Sequence, residues 1–148
     1  CKYLARRRAD RSEKEKHMLK ILIAEDDFVS RRFMLKFLSE FGDCDVTVDG
    51  LEAVEAFTMA IEGDTPYDLI CLDIMMPALD GYRALQQMRQ IEEEHGIPKE
   101  KAARVIITTA LNEGANVNRA FDLGCVAYAS KPIDKEKFEA SLRDLKLI

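Results

Sequence analysis

Strand and helix patterns alternate along most of this sequence, and that alternation limits the folds open to it. Residues 19–24 form a short, continuous, apolar-weighted run, which is typical of a strand buried on both faces. The stretch that follows, residues 28–41, instead carries apolar residues at helical spacing. Repeated strand-then-helix units build a parallel sheet. We therefore expect an α/β fold.

Five such units can be counted, and right-handed crossovers between them put helices on both faces of a doubly wound sheet. Gly42 and Gly124 are expected to end the first and fourth helices. The predicted strands are β1 (19–24), β2 (44–48), β3 (68–73), β4 (104–109) and β5 (125–129), and the predicted helices are α1 (28–41), α2 (50–61), α3 (82–94), α4 (112–123) and α5 (134–145).

Charge divides the chain into two parts. Residues 1–17 hold seven of the 22 basic residues and three of the 27 acidic ones, a charge of +4, which leaves −9 on residues 18–148. The acidic part repels nucleic-acid phosphates, so we expect no direct nucleic-acid binding. We expect residues 18–148 to form one domain and residues 1–17 to be a basic polar extension, either a linker or vector-derived sequence. Binding of an acidic partner is the alternative for the extension.

No segment indicates a membrane protein or a secreted protein. The longest apolar stretches are about four residues long, far below the ~18 residues that a membrane-spanning helix needs. No apolar region follows the basic N-terminal segment, as a secretion signal would require. The cysteines form no C-x-x-C pair and are expected to be reduced. We expect a cytoplasmic protein with no membrane association.

Chemically distinctive residues stand where the predicted strands end. The carboxyl ends of parallel strands lie on one edge of a sheet, so these residues are expected to converge. They comprise four carboxylates, a hydroxyl and an ammonium group, from Glu25, Asp26, Asp27, Asp73, Thr109 and Lys131. The sequence therefore predicts an acidic pocket that holds one basic side chain.

Carboxylates held this close repel each other unless they share protons or bind a cation, and their hard oxygen atoms suit Mg²⁺. Phosphoryl transfer needs mainly positioning and charge neutralisation. An aspartate nucleophile, a metal ion, a lysine and a hydroxyl would meet that need and give an aspartyl phosphate. For residues 25–27 the alternative is simple capping of the next helix, whose positive end favours acidic side chains.

Four segments together resemble the receiver domain of bacterial response regulators. They are E-D-D at 25–27, L-D-I-M-M-P-A-L-D-G at 72–81, T-T-A at 108–110 and S-K-P at 130–132. The resemblance covers residues 19–146 with every hallmark in order. It implies a flavodoxin-like strand order, 2-1-3-4-5, and membership of a two-component signalling system.

The resemblance also implies a role for each acidic residue. Asp73 would be the phosphorylated aspartate and also a metal ligand, Asp26 would bind Mg²⁺ directly, and Glu25 would reach the ion through water. The backbone carbonyl of Met75 would be a further metal ligand. Asp27 is left outside the site as a helix cap.

Three more residues receive roles from the resemblance. Thr109 would hydrogen-bond the phosphoryl group, Lys131 would pair with it, and Tyr128 would be the aromatic residue of the switch. A cis peptide bond between Lys131 and Pro132 is compatible with the family. Thr109 could instead be an ordinary hydroxyl at a strand end, and Tyr128 could simply pack in the core.

The implied function is a phosphorylation-dependent switch. A sensor histidine kinase or phosphotransfer protein would donate a phosphoryl group to Asp73 with Mg²⁺, and the α4-β5-α5 face would then change for an unknown downstream protein. His17 and His95 lie away from the pocket, so the donor is another protein. The expected catalysis is limited to self-catalysed phosphoryl transfer and autodephosphorylation.

Two other functions are alternatives to this switch. A phosphatase-like enzyme of the haloacid-dehalogenase type is similar in fold, but its nucleophile motif has a second acid where this chain has Met75. A degenerate receiver that acts only as a docking module is disfavoured by the intact Asp26, Asp73, Thr109 and Lys131. The sequence leaves open whether the chain is a single-domain regulator or part of a larger protein.

Apolar residues at two further positions predict a long-lived phosphoryl group. Met75 and Leu111 stand two residues after Asp73 and Thr109, and neither side chain can hold a water molecule by a hydrogen bond. We expect them to shield the phosphoryl group and slow its hydrolysis. The alternative is that both side chains point away from the site.

Overall fold

A computed structural model describes residues 18–110 and 117–148. Its strands are β1 Leu19–Ala24, β2 Gly42–Thr47, β3 Leu69–Asp73, β4 Arg104–Thr109 and β5 Ala127–Ser130. Its helices are α1 Phe28–Leu38, α2 Gly50–Glu62, α3 Gly81–Glu94, α4 Val117–Asp122 and α5 Lys135–Asp144. A single 3₁₀ turn, Lys99–Lys101, precedes β4.

The five strands form one parallel sheet in the order β2-β1-β3-β4-β5. In the register, Ile21 of β1 lies opposite Cys44 of β2 on one side and Leu69 of β3 on the other. The order in the sheet differs from the order in the chain only because β2 lies outside β1. The connection from β2 to β3 therefore passes β1. The predicted doubly wound sheet of order 2-1-3-4-5 is confirmed.

Alternate residues of the central strands build two separate core layers, because successive side chains in a strand point to opposite faces. One layer joins residues such as Leu22, Ile70 and Ile107 to helices α2, α3 and α4. The other joins Ile23 and Ile106, among others, to helices α1 and α5. Burying a single Leu or Ile side chain contributes roughly 1.5–3 kcal/mol, so both layers stabilise the sheet that carries the strand ends.

Four of the helices begin at an aspartate whose side chain accepts a hydrogen bond from a backbone N–H of the first turn. These caps are Asp27 for α1, Asp49 for α2, Asp80 for α3 and Asp134 for α5. Such a cap stabilises a helix by about 1 kcal/mol. The predicted capping role of Asp27 is confirmed, since its Oδ2 accepts from Ser30 N at 2.8 Å.

The predicted end of α1 at residue 41 is wrong. The helix ends at Leu38, and the Phe41 N–H then closes a turn on the Leu38 carbonyl. The Phe41 carbonyl in turn accepts from Leu19 N at 2.9 Å, so this residue already belongs to the approach to the sheet. Strand β2 consequently begins at Gly42 and ends at Thr47, two residues earlier than predicted at its start.

The last strand, in contrast, begins later than predicted, at Ala127 instead of residue 125. Cys125 N donates to Ala120 O at 3.0 Å, so Cys125 still closes the end of α4. Gly124 has a φ of +81°, which agrees with its predicted place just after the helix. Of the predicted α4, residues 112–116 lie outside the described residues, as does the predicted basic extension at 1–17.

None of the helices described within 18–110 and 117–148 is long and apolar enough to cross a membrane.

Candidate functional site

The carboxyl edge of the sheet gathers the residues that the sequence singled out. Asp73 ends β3 and Thr109 ends β4, while Glu25 follows β1, and all three are buried. Asp26, one residue further along the same loop, is exposed. The predicted convergence of these side chains at one edge is confirmed.

Three carboxylates meet closely enough to share one metal ion. One oxygen atom from each of Glu25, Asp26 and Asp73 lies within 4.8 Å of the others. Mg²⁺ prefers such oxygen ligands and commonly binds one or two carboxylates while it keeps several waters. The donor set and its open side at the exposed Asp26 therefore fit Mg²⁺.

The ammonium group of Lys131 lies between two of these carboxylates. Its Nζ is 2.8 Å and 2.9 Å from the two carboxylate oxygens of Glu25, and 3.2 Å from Oδ2 of Asp73. Burial alone would lower the pKa of Lys131, but the hydrogen bonds and charges of Glu25 and Asp73 outweigh it and raise that pKa. Lys131 is therefore held as a cation in the pocket.

Asp73 is the carboxyl group of the pocket whose pKa is raised. Burial and, to a smaller extent, the negative charge of Glu25 raise its pKa to about 7, although Lys131 acts in the opposite direction. One ammonium group thus faces three carboxylates, which leaves the pocket with excess negative charge. A divalent cation would relieve that repulsion.

Thr109 contacts the backbone of Lys131 just after the last strand, and Tyr128 contacts α3 from within that strand. The Thr109 carbonyl accepts from Lys131 N at 2.6 Å, so the end of β4 fixes the backbone of Lys131. The Tyr128 hydroxyl is 3.4 Å from the hydroxyl of Tyr82, which lies in the first turn of α3. The peptide bond between Lys131 and Pro132 is cis. The functional roles of Thr109 and Tyr128, and that of the Met75 carbonyl, remain predictions.

Sequence reasoning missed one contact at the site. The Arg31 guanidinium, on α1, donates to the backbone carbonyls of Glu25 and Asp26 at 3.0 Å and 3.2 Å. The sequence places Arg31 one helical turn beyond the cap Asp27, but helical spacing alone does not show that a side chain turns back onto the preceding loop. The signal was present only as a basic residue in the first turn of a helix, where acidic residues are favoured.

Comparison with known proteins gives the class of protein. The family model described as the response regulator receiver domain matches residues 21–143. That span covers most of the chain and contains every residue of the pocket. The chain belongs to the response regulator receiver domain family, and it is thus a receiver domain of two-component signalling.

One curated relative and two solved structures of similar fold can be compared with this chain. The chain is 32% identical over 120 residues to the chemotaxis protein CheY of Treponema pallidum, which covers 80% of this chain and 76% of the relative. The CheX–CheY–BeF3–Mg complex from Borrelia burgdorferi is similar at 26% identity and a TM-score of 0.70, over 86% of this chain and 89% of that one. The Saccharomyces cerevisiae co-crystal structure of the phosphotransfer protein Ypd1 with the receiver domain of Ssk1 matches at 24% identity, with a TM-score of 0.69, over 82% and 84% of the two chains.

Other relatives are much longer than this chain. It spans 55% of a probable transcriptional regulator and 12% of a probable histidine kinase. The receiver domain therefore occurs in relatives of different size and overall activity, and the match concerns the receiver domain alone.

The acidic pocket predicts selective effects on Mg²⁺ binding. Asp26→Ala removes a carboxylate oxygen from the cluster, and we expect the Mg²⁺ dissociation constant to rise about tenfold or more, or ~1.4 kcal/mol of binding free energy. Asp27→Ala is the matched control, because it removes a neighbouring carboxylate that caps α1 and should leave the constant near that of the parent. Isothermal titration calorimetry measures both. Equal affinities in the two variants would contradict the assignment of Asp26.

Proposed function

We propose that this receiver domain accepts a phosphoryl group on Asp73, with Mg²⁺ as cofactor, and then alters its α4-β5-α5 face for a downstream protein. The observation that carries the proposal is the buried Asp73 carboxylate beside Glu25, with the Lys131 ammonium 3.2 Å away. Membership of the receiver family supports the same reading. The donor is the phosphohistidine of a sensor histidine kinase or a phosphotransfer protein.

In the proposed transfer, an Asp73 carboxylate oxygen attacks the phosphorus of the donor phosphohistidine. An oxygen–phosphorus bond forms as the phosphorus–nitrogen bond breaks, and the electron pair of the broken bond remains on the imidazole nitrogen, which takes up a proton from solvent. The attacking carboxylate must be ionised, and Lys131 supports that form. Bound Mg²⁺ supplies neutralisation of the charge on the phosphoryl oxygens, and the carboxylates of Glu25 and Asp26 are the residues proposed to hold it.

The residues around Asp73 support the proposal that a phosphoryl group on this residue changes its surroundings. Lys131 already contacts the acceptor carboxylate, so phosphoryl oxygens bonded to Asp73 would lie within its reach. Thr109 offers a hydroxyl at the end of the adjoining strand β4, and its backbone holds that of Lys131. Tyr128 lies three residues earlier on β5 and pairs with Ile107 of β4, which supports the proposal that β5 transmits the change.

The proposed partners are proteins and not nucleic acids or membranes. A phosphotransfer protein, Ypd1, forms a complex with a receiver domain of the same fold, and such a protein or a histidine kinase is proposed as the donor here. His95 follows the far end of α3, and His17 lies outside the described residues. A cytoplasmic location and a domain spanning residues 18–148 are proposed with this function, and the family match from residue 21 supports that boundary.

The proposal predicts one labelled residue. Incubation with acetyl phosphate and Mg²⁺ should add one phosphoryl group to the parent protein and none to Asp73→Asn, because the amide is not a nucleophile for this step. Asp27→Asn is the matched control and should be labelled like the parent. Intact-protein mass spectrometry with and without EDTA provides the measurement. Full labelling of Asp73→Asn, or labelling that EDTA does not reduce, would show that the site is assigned wrongly.

The proposal also predicts a long-lived phosphoryl group. Met75 is 61% exposed two residues after Asp73, and its side chain is proposed to cover the phosphoryl group, whereas Leu111 lies outside the described residues. Met75→Asn and Leu111→Glu, singly and together, should shorten the phosphoryl lifetime because each introduces a group that can hold the attacking water. A tenfold change corresponds to ~1.4 kcal/mol of barrier. The decay of label after removal of the donor measures it, and a double variant no faster than the parent would refute the shielding.

A further inference from the structure

Arg31 holds the loop that carries two of the three clustered carboxylates. One guanidinium nitrogen, Nη1, donates to the carbonyls of both Glu25 and Asp26, at 3.0 Å and 3.2 Å. The Phe28 ring lies against the same guanidinium, with its centroid 5.7 Å from the central carbon. The side chain of Arg31 is half-buried. Its guanidinium group is held between the loop carbonyls and the Phe28 ring.

The other bonds of this loop fix its two ends. Glu25 N donates to the Thr47 carbonyl of β2 at 3.1 Å, and Asp27 caps α1. Asp27 N also donates to Oε1 of Glu25 at 3.2 Å, which ties the two ends to each other but does not contact Asp26. Asp26 lies between these points and is exposed. The hydrogen bond from Arg31 to the Asp26 carbonyl therefore restrains the backbone of Asp26, the residue that carries the exposed carboxylate.

We infer that Arg31 is a positioning residue for the divalent-cation site. It acts through the backbone of residues 25 and 26 and orients their carboxylates toward Asp73. This inference rests on the proposed function, because it assumes that Mg²⁺ binds at the cluster. Mg²⁺ demands near-ideal geometry, and partners that orient metal ligands typically change metal affinity 10- to 100-fold when they are removed.

Because Arg31 is positively charged, the direction of the change in Mg²⁺ affinity on its removal distinguishes a positioning role from a purely electrostatic one. A guanidinium this close to the cluster repels a cation, so its removal should tighten Mg²⁺ binding if charge alone mattered. If Arg31 positions the loop, its removal should weaken binding in spite of the lost repulsion. Arg32 is exposed and carries the same charge on the next residue, and among the residues that the structure describes it donates no hydrogen bond to this loop.

The test is calorimetric titration of four proteins with magnesium chloride: the parent, Arg31→Met, Arg31→Lys and Arg32→Met. We expect Arg32→Met to bind Mg²⁺ as tightly as the parent or more tightly. Arg31→Met should bind about tenfold more weakly. Arg31→Lys should lie between Arg31→Met and the parent, because an ammonium group keeps the charge and can donate to a carbonyl but lacks the planar reach of the guanidinium. Urea unfolding of each variant checks that it is folded.

The titrations distinguish failure of the positioning role of Arg31 from failure of the proposed Mg²⁺ site. Arg31→Met with an affinity equal to that of Arg32→Met would overturn the positioning role and leave the metal site intact. A parent that binds no Mg²⁺ would overturn the proposed metal site and this inference with it. If Arg31→Met does not fold, the comparison passes to Arg31→Lys: weaker binding than the parent supports the role, and parental binding overturns it.

Discussion

Two buried carboxylates, Glu25 and Asp73, share one ammonium group at the carboxyl edge of the sheet. Removing charges from water costs several kcal/mol per ion unless they are paired, and Lys131 pairs with both. The pairing is incomplete, since Asp26 adds a third carboxylate, and burial together with the charge of Glu25 raises the pKa of Asp73 to about 7 in spite of Lys131. The pocket is thus stable enough to form but retains an excess of negative charge, which suits it to a divalent cation.

The rest of the fold serves to hold this arrangement. Glu25 and Lys131 lie 106 residues apart in the chain, and they meet only because β1, β3, β4 and β5 run parallel and end at the same edge. Helix α3 starts immediately behind the acceptor, where a Cβ atom added at Gly81 would overlap the Asp73 carbonyl. A glycine at that position lets the helix approach the strand closely. The two core layers fix the strands, and the strand ends fix the pocket.

Much of this could be predicted from the sequence because the relevant signals are local or periodic. The bounds of β1 and β4, the strand order and the cap at Asp27 all follow from apolar patterns, turn residues and the motif resemblance. The convergence of Asp73, Glu25 and Lys131 follows from the geometry of parallel sheets.

What the sequence could not predict depends on the direction of individual side chains and on competition between elements. The early end of α1 arises because Phe41 already bonds to Leu19 of the sheet. Lys131 contacts Glu25 through both carboxylate oxygens but Asp73 through only one, a preference that motif spacing does not encode. The contact of Arg31 with the loop carbonyls is of the same kind, since a helical pattern gives a residue's face but not its hydrogen-bond partner.

We propose that phosphorylation of Asp73 draws Lys131 toward the phosphoryl group and that β5 changes as a result. The most direct measurement is the change in NMR chemical shifts around Tyr128 on phosphorylation, in the parent, in Lys131→Ala and in the exposed control Lys137→Ala. We expect all three proteins to become phosphorylated, the shifts to change in the parent and in Lys137→Ala, and Lys131→Ala to show little or no change. A Lys131→Ala protein that is phosphorylated and shows the full parental change around Tyr128 would contradict the proposed coupling.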